Sequence, residues 1–202
     1  MMFKNFLATL TSAACLALLI GCAPSSSDSG ASSGSSTSFP ELVGKWNSDC
    51  SFDGEALYTK SSMEISGPDI ATTSLYYSDT ACSSEVMKEA STYSDFKGTS
   101  SEAGDGAKGY LITARIQTHT LTITNDTYTT VVNSASFCGL TTWVTGSQVD
   151  VLGKTCDSNT YPEKNTTLYN SIVGSETSLI IGDYAEGGYP SSPSSPVVFM
   201  KE

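Results

Sequence analysis

From residue 42 onward the apolar positions fall mostly at every second residue, the spacing of strands with one buried face. Residues 42–48 predict a first strand. Residues 55–66 predict a second, with Leu57, Met63 and Ile65 on one face and Tyr58, Lys60 and Glu64 on the other. Gly67-Pro68-Asp69 is a turn signal. A third strand follows over 70–78, with Ala71, Thr73, Leu75 and Tyr77 alternating against Thr72, Ser74 and Tyr76. Residues 85–97 predict a fourth through Val86, Ala90 and Phe96, and 98–109 (GTSSEAGDGAKG) a polar, glycine-rich loop.

Residues 110–124 predict a long fifth strand whose apolar phase shifts. Ile112, Ala114 and Ile116 share one parity, whereas Leu121 and Ile123 have the other, so a β-bulge or bend is expected near 117–120. Helical signals come only after it: Asn125 or Asp126 can cap, and Tyr128, Val131, Val132, Ala135 and Ser136 follow helix spacing to Phe137. Further strands are expected over 140–145, 167–173, 178–182 and 197–201. Pro190, Pro193 and Pro196 mark a loop before the last. The expected fold is all-β, an antiparallel up-and-down β-barrel of about eight or nine strands with one short helix. A β-sandwich is the alternative.

The first residues break this pattern. Lys4 precedes a mostly apolar run over 6–20, 15 residues, too short for the ~20 that span a bilayer and suited to a secretory signal peptide. Leu19-Ile20-Gly21-Cys22 resembles the lipobox of bacterial lipoproteins. That resemblance implies a signal peptide over 1–21, cleavage before Cys22, and acyl chains (diacylglycerol and palmitate) on the new N-terminus. Residues 25–38 are almost entirely Ser, Gly, Thr and Ala, a composition that stays flexible. The expected organisation is a lipidated tether over 22–39 and one barrel domain over 40–202.

Cysteine parity agrees with an anchor. Of six cysteines, Cys15 leaves with the signal peptide and Cys22 is acylated, so Cys50, Cys82, Cys138 and Cys156 remain for two disulfides. If the first three strands form a meander, Cys50 after the first and Cys82 after the third share a rim. Their pairing leaves Cys138 with Cys156, the preferred connectivity among three. There is no C-x-x-C pair and only one histidine, so no metal site is expected.

Charge excludes some partners. The chain carries 21 acidic and 10 basic residues with a single arginine, Arg115. No basic run offers a footprint for nucleic acid, and anionic headgroups would be repelled, so membrane attachment must come from the acyl chains.

Candidate chemistry is sparse. No nucleophile elbow, H-E-x-x-H or phosphate loop is present, and no cofactor is implied. His119 in QTHTLTI reads as a solvated strand histidine. A catalytic role would need it to face a cleft within reach of a buried carboxylate. Asp49 with Asp53, and Asp183 with Glu186, fall in expected turns, where aspartate bonds its own backbone. The loop SEAGDGAKG lacks the order and closing glutamate of a calcium loop. Trp46 and Trp143 each lie within five residues of a cysteine and are expected to pack beside the disulfides.

Gly44-Lys45-Trp46 resembles the G-x-W signature in the first strand of lipocalins (calycin-type barrels), where the tryptophan closes one end of an eight-stranded barrel. Bacterial lipocalins are also lipobox-anchored. Gly182-Asp183-Tyr184 is loosely similar to the family's T-D-Y element, and the family's late arginine has no arginine counterpart. The layout LVGKW..DC, YYSDTAC, ASFCGLTTWV and GKTC is similar to bacterial lipoproteins with a lipocalin-like domain.

Together these features imply a non-enzymatic, lipid-anchored envelope lipoprotein, in the outer membrane by analogy with Gram-negative sorting because Ala23 follows the cysteine. It would face the periplasm or the cell surface. Its barrel would bind a small apolar ligand or an envelope partner, with Leu57, Met63, Ile65, Leu75 and Tyr77 lining a cavity or core. The alternative is a structural, protein-interaction or inhibitor lipoprotein with a filled barrel, for which exposed Tyr76, Tyr93, Tyr184 and Tyr189 would matter more.

Overall fold

A computed structural model describes residues 39–202 apart from 55, 103–107, 158, 182–184 and 190–196. Residues 1–38, on which the expected signal peptide, Cys22 and the expected tether fall, lie outside the described residues. So do most of the calcium-like loop, the element at Gly182, Asp183 and Tyr184, and Pro190, Pro193 and Pro196.

A 3-10 turn, Pro40–Leu42, leads into β1 (Gly44–Ser48), followed by β2 (Ser51–Phe52), β3 (Tyr58–Ser66), β4 (Asp69–Tyr77), β5 (Glu85–Glu102) and β6 (Lys108–Ile123). Helix α1 (Asp126–Ser134) and a second 3-10 turn, Phe137–Gly139, come next. The rest is β7 (Gln148–Asp150), β8 (Thr155–Cys156), β9 (Asn159–Thr160), β10 (Thr167–Gly174), β11 (Ser178–Ile181), β12 (Ala185–Glu186) and β13 (Val197–Lys201). Eight strands close a ring in the order β1, β3, β4, β5, β6, β10, β11, β13, each antiparallel to the next, and β13 pairs back onto β1. This is an up-and-down barrel, and closure leaves its eight strands without a free edge. The sandwich alternative is excluded.

The phase shift expected near 117–120 is present and sits at Gln117. Thr92 pairs with Thr118 but Tyr93 pairs with Ile116, so Gln117 is the extra residue. Ile112, Ala114 and Ile116 point inward before it, and His119, Leu121 and Ile123 after it. Capping of α1 follows the sequence too: the Asn125 side chain accepts from the Tyr128 N–H at 3.1 Å.

Three expected features are corrected. Residues 98–102 extend β5 instead of forming a loop. Gly98 permits this, since a Cβ there would collide with the Leu111 carbonyl of the paired strand. Residues 140–145 form no strand. The Trp143 backbone donates to Asn133 Oδ1 at 2.7 Å and accepts from its Nδ2 at 2.9 Å, so a side-chain amide takes the place of a ladder partner. The interior parity of β4 is also shifted by one residue. The tight turn at Gly67-Pro68 pairs Ile65 with Ile70, so Ile70, Thr72, Ser74 and Tyr76 face inward with Met63 and Ile65. Leu75 therefore pairs with Lys60 and Lys88 on the outer face. Tyr77 shares that outer parity, paired with Tyr58 and Glu85, although it is buried. Leu57 lies ahead of β3, its N–H bonded to Asp53 Oδ1 at 3.1 Å.

Candidate functional site

The chain builds two different barrel ends. One end carries the 3-10 turn, the hairpin turns β3–β4 and β10–β11, and the C-terminus. Trp46 fills it and is fully buried. Its indole N–H donates to the Leu42 carbonyl at 2.9 Å, and Lys201 places Nζ 5.0 Å from the ring centroid, within cation–π range. The same Nζ donates to the Glu41 carbonyl at 3.1 Å. Gly44 suits its φ of +135°, and a Cβ there would press on Lys201 Cε at 3.1 Å. A lysine thus covers the face of the tryptophan. Trp46 belongs to the core with Phe39, Ile112, Ile172 and Leu179, not beside the nearest disulfide, because Cys50 lies past the far end of β1.

The other end is polar inside. Residues opposite one another across antiparallel strands share a face, and one row runs Trp46, Met63, Thr72, Ser91, His119 around the interior. A second row sets Ser61, Ser74, Glu89 and Leu121 side by side. Their side chains make a chain of contacts. Tyr76 O–H donates to Glu89 Oε2 at 2.6 Å, Glu89 Oε1 lies 2.7 Å from His119 Nε2, and His119 Nδ1 is 2.9 Å from Ser91 Oγ. The carboxylate reaches Nε2 off the ring N–H axis, so this is a close polar contact rather than an aligned hydrogen bond. Tyr161 stacks on the imidazole, with ring centroids 4.3 Å apart.

His119 is therefore not solvated: it is 7% exposed. Its parity signal was present in the chain, since it has the same spacing as Leu121 and Ile123 beyond the bulge. Tyr76 and Tyr93 likewise face inward, whereas Tyr189 is exposed with its ring against Tyr169. Glu89, half-covered at 22% side-chain exposure, had no sequence signal at all.

Burial opposes ionisation of Glu89, but the His119 contact, then the Tyr76 hydroxyl, outweigh it and hold the carboxyl below the usual carboxylate range. Burial, then the Glu89 charge, pushes the Tyr76 hydroxyl far above the usual phenol range, and Tyr161 is raised by burial, Glu89 and Asp157. Hydroxyl, imidazole and carboxylate in this order form the pattern of an activated nucleophile. Here Ser91 is 3% exposed and Tyr161 covers the imidazole face, so a substrate would have to displace that ring first.

Residues 124–166 cover this end. Leu121 and Ile123 of β6 pack with Val132 of α1, Trp143, Val151, Cys138 and Cys156. Disulfides join Cys50 to Cys82 and Cys138 to Cys156, the preferred connectivity. The first ties the β1 and β4 ends at this rim; the second staples the cover, where Trp143 does pack beside it. In the intervening rim loop, Asp79 accepts from the N–H groups of Ala81, Ser83 and Ser84. Asp53 accepts from Ala56 and Leu57, so both aspartates serve turns.

Two hollows lie along the wall of β1, β3, β4, β5 and β6. One of about 360 Å³ is lined mainly by Glu64, Ala71, Thr92, Ser94 and Gln117. Another of about 290 Å³ is lined by Lys45, Asn47, Ser62, Thr73 and Glu202, and the two share Glu64 and Ala71. Neither touches His119, Glu89 or Ser91. No protein-family model matches the chain, and no curated protein matches it either.

Proposed function

We propose that the chain is an exported envelope lipoprotein, acylated on Cys22 and tethered by residues 22–38, whose lipocalin-like barrel is a filled scaffold acting through its outer surface; Phe39, expected in the tether, belongs to the barrel core. The observation that carries this reading is what occupies the interior. Trp46, Ile112, Ile116, Ile172 and Leu179 are fully buried at one end, and the Tyr76, Glu89, His119 and Ser91 side chains touch in turn at the other. A barrel of eight strands is just wide enough for its own side chains to fill it. Burial of Ser91 and His119 supports a non-catalytic role. The hollows that share Glu64 and Ala71 are where a partner of the envelope would meet the barrel wall. The outer membrane is the destination this reading favours, from Ala23 after the acylated cysteine.

The test is titration of the mature protein with an environment-sensitive apolar probe. A filled barrel gives no saturable signal. Saturable binding displaced by fatty acids would replace this reading with a carrier of a small apolar ligand. The mass of the mature N-terminal peptide reports acylation of Cys22 independently.

A further inference from the structure

The two disulfides sit in opposite surroundings. Cys138 and Cys156 are 7% and 4% exposed and belong to the apolar cluster of Leu121, Ile123, Trp143 and Val151. A thiolate attacking that bridge would have to carry its charge into the cluster, which burial opposes. Cys50 is exposed and Cys82 half-buried, and every residue from 49 to 54 is exposed. Cys82 holds a left-handed φ of +49°, but Cys138 does too at +54°, so access and not backbone strain separates the two bridges. The two segments that Cys50–Cys82 joins are also held unequally. Residues 78–84 form a turn that keeps its own shape. The Asp79 carboxylate accepts from the N–H groups of Ala81, Ser83 and Ser84, and the Cys82 N–H donates to the Asp79 carbonyl at 3.2 Å. Residues 49–57 meet the barrel through a two-residue ladder, Ser51 with Thr59 and Phe52 with Tyr58, whose rings lie 5.4 Å apart. The Asp53 bonds to Ala56 and Leu57 lie within the segment itself. Two paired residues are too few to hold a segment down once a covalent link is gone.

We infer that Cys50–Cys82 is a thiol–disulfide switch: a dithiol reductant opens it, residues 49–57 detach, and Cys82 stays presented on its turn. The thiolate of the reductant attacks Sγ of Cys50, the more exposed end, to form a mixed disulfide, and Cys82 Sγ leaves as a thiolate that takes up a proton. The second thiol of the reductant then displaces Cys50, so two cysteine thiols form as the dithiol is oxidised to its own disulfide. Asp49 and Asp79 on this rim repel anionic thiols, which selects an uncharged or cationic dithiol. Detachment takes Phe52 off Tyr58, so reduction bares the Tyr58 ring beside its β4 neighbour Tyr77 on the outer wall. The buried bridge keeps the cover in place throughout. None of this depends on acylation of Cys22.

The test adds dithiothreitol, an uncharged dithiol, to the purified oxidised chain, alkylates samples with iodoacetamide at intervals and maps the label by peptide mass. Alkylation of Cys50 and Cys82 is expected at least about tenfold faster than that of Cys138 and Cys156. Opening of Cys138–Cys156 first, or of both bridges together, overturns the assignment. Chymotrypsin cleavage after Phe52 then reads the conformational consequence, in the partly reduced chain and in the Cys50→Ser, Cys82→Ser double variant. Cleavage there should be several-fold faster than in the oxidised chain, while sites within β3 to β6 stay resistant. An unchanged rate after Phe52 in the partly reduced chain overturns the switch, whether or not the double variant folds. Cleavage spreading through β3 to β6 on partial reduction overturns it too, because the bridge would then be holding the barrel itself.

Discussion

The two ends of the barrel are closed by different physics. At the tryptophan end a single large ring does most of the filling. Trp46 is fully buried, its one polar atom is satisfied by Leu42, and a lysine from the last strand covers its face. At the other end the interior is spanned by Tyr76, Glu89, His119 and Ser91, beneath a 43-residue excursion in which Trp143 packs beside the Cys138–Cys156 staple. Apolar filling tolerates small shifts, because dispersion is non-directional. A buried polar chain does not, because each group left unpaired costs its desolvation. The difference teaches where each end is vulnerable: the first to loss of volume, the second to loss of a partner or a staple.

Substitutions that separate these two kinds of closure should differ in size and in pH dependence. The largest effect is expected from Trp46→Ala, about 3–5 kcal/mol from lost burial and the cavity left behind, read as a lower denaturant midpoint. An effect below about 1 kcal/mol would mean that the tryptophan is not the plug of that end. Removing the staple, with Cys138→Ser and Cys156→Ser together, should cost roughly 3 kcal/mol at the other end. If the cover then melts as a separate transition while the barrel persists, the two ends are independent folding units.

Glu89→Gln should cost about 1–2 kcal/mol at neutral pH. It should also change the shape of the pH profile, which Trp46→Ala should not do. Glu89 has a depressed pKa in the fold, so its stabilisation is present above the ordinary carboxylate value of about 4.3 and is lost as pH falls through the folded value. The variant should flatten that acid limb. Tyr76 and Tyr161 have raised pKa values, so the parent chain should also lose stability as pH rises past about 10, where only the unfolded hydroxyls ionise. Tyr76→Phe should remove part of this alkaline loss, and an unchanged profile would mean that Tyr76 is solvated. The smallest effect, about 0.5–1 kcal/mol, is expected from Lys201→Met, which keeps the stem over Trp46 but not its charge.

Much of the barrel was legible because period-two patterning and turn chemistry are local. The strands β3, β4, β10 and β13, the cap at Asn125, the phase shift at Gln117 and both disulfides all follow from neighbours in the chain or from a meander counted strand by strand. The misread regions are those where a distant group intervenes. Residues 140–145 have strand composition, but Asn133 captures the Trp143 backbone. The parity of β4 was misjudged because Leu75 and Tyr77 look more apolar than Thr72 and Ser74. The tight turn at Gly67-Pro68 overrides that preference by fixing the register.

By itself the amino-acid sequence determined the all-β class, most of the strand positions and the cysteine parity, because each rests on spacing along the chain. It also carries the lipobox-like stretch that ends at Cys22, a reading that needs no fold. Only the tertiary structure decided that Glu89 and His119 meet, that Lys201 covers Trp46, and that Val173, Ile180 and Val198 line up on the outside. Those pairs lie 30, 155 and up to 25 residues apart in the chain. They become neighbours through register and barrel closure, which bring together side chains whose types give no sign of one another.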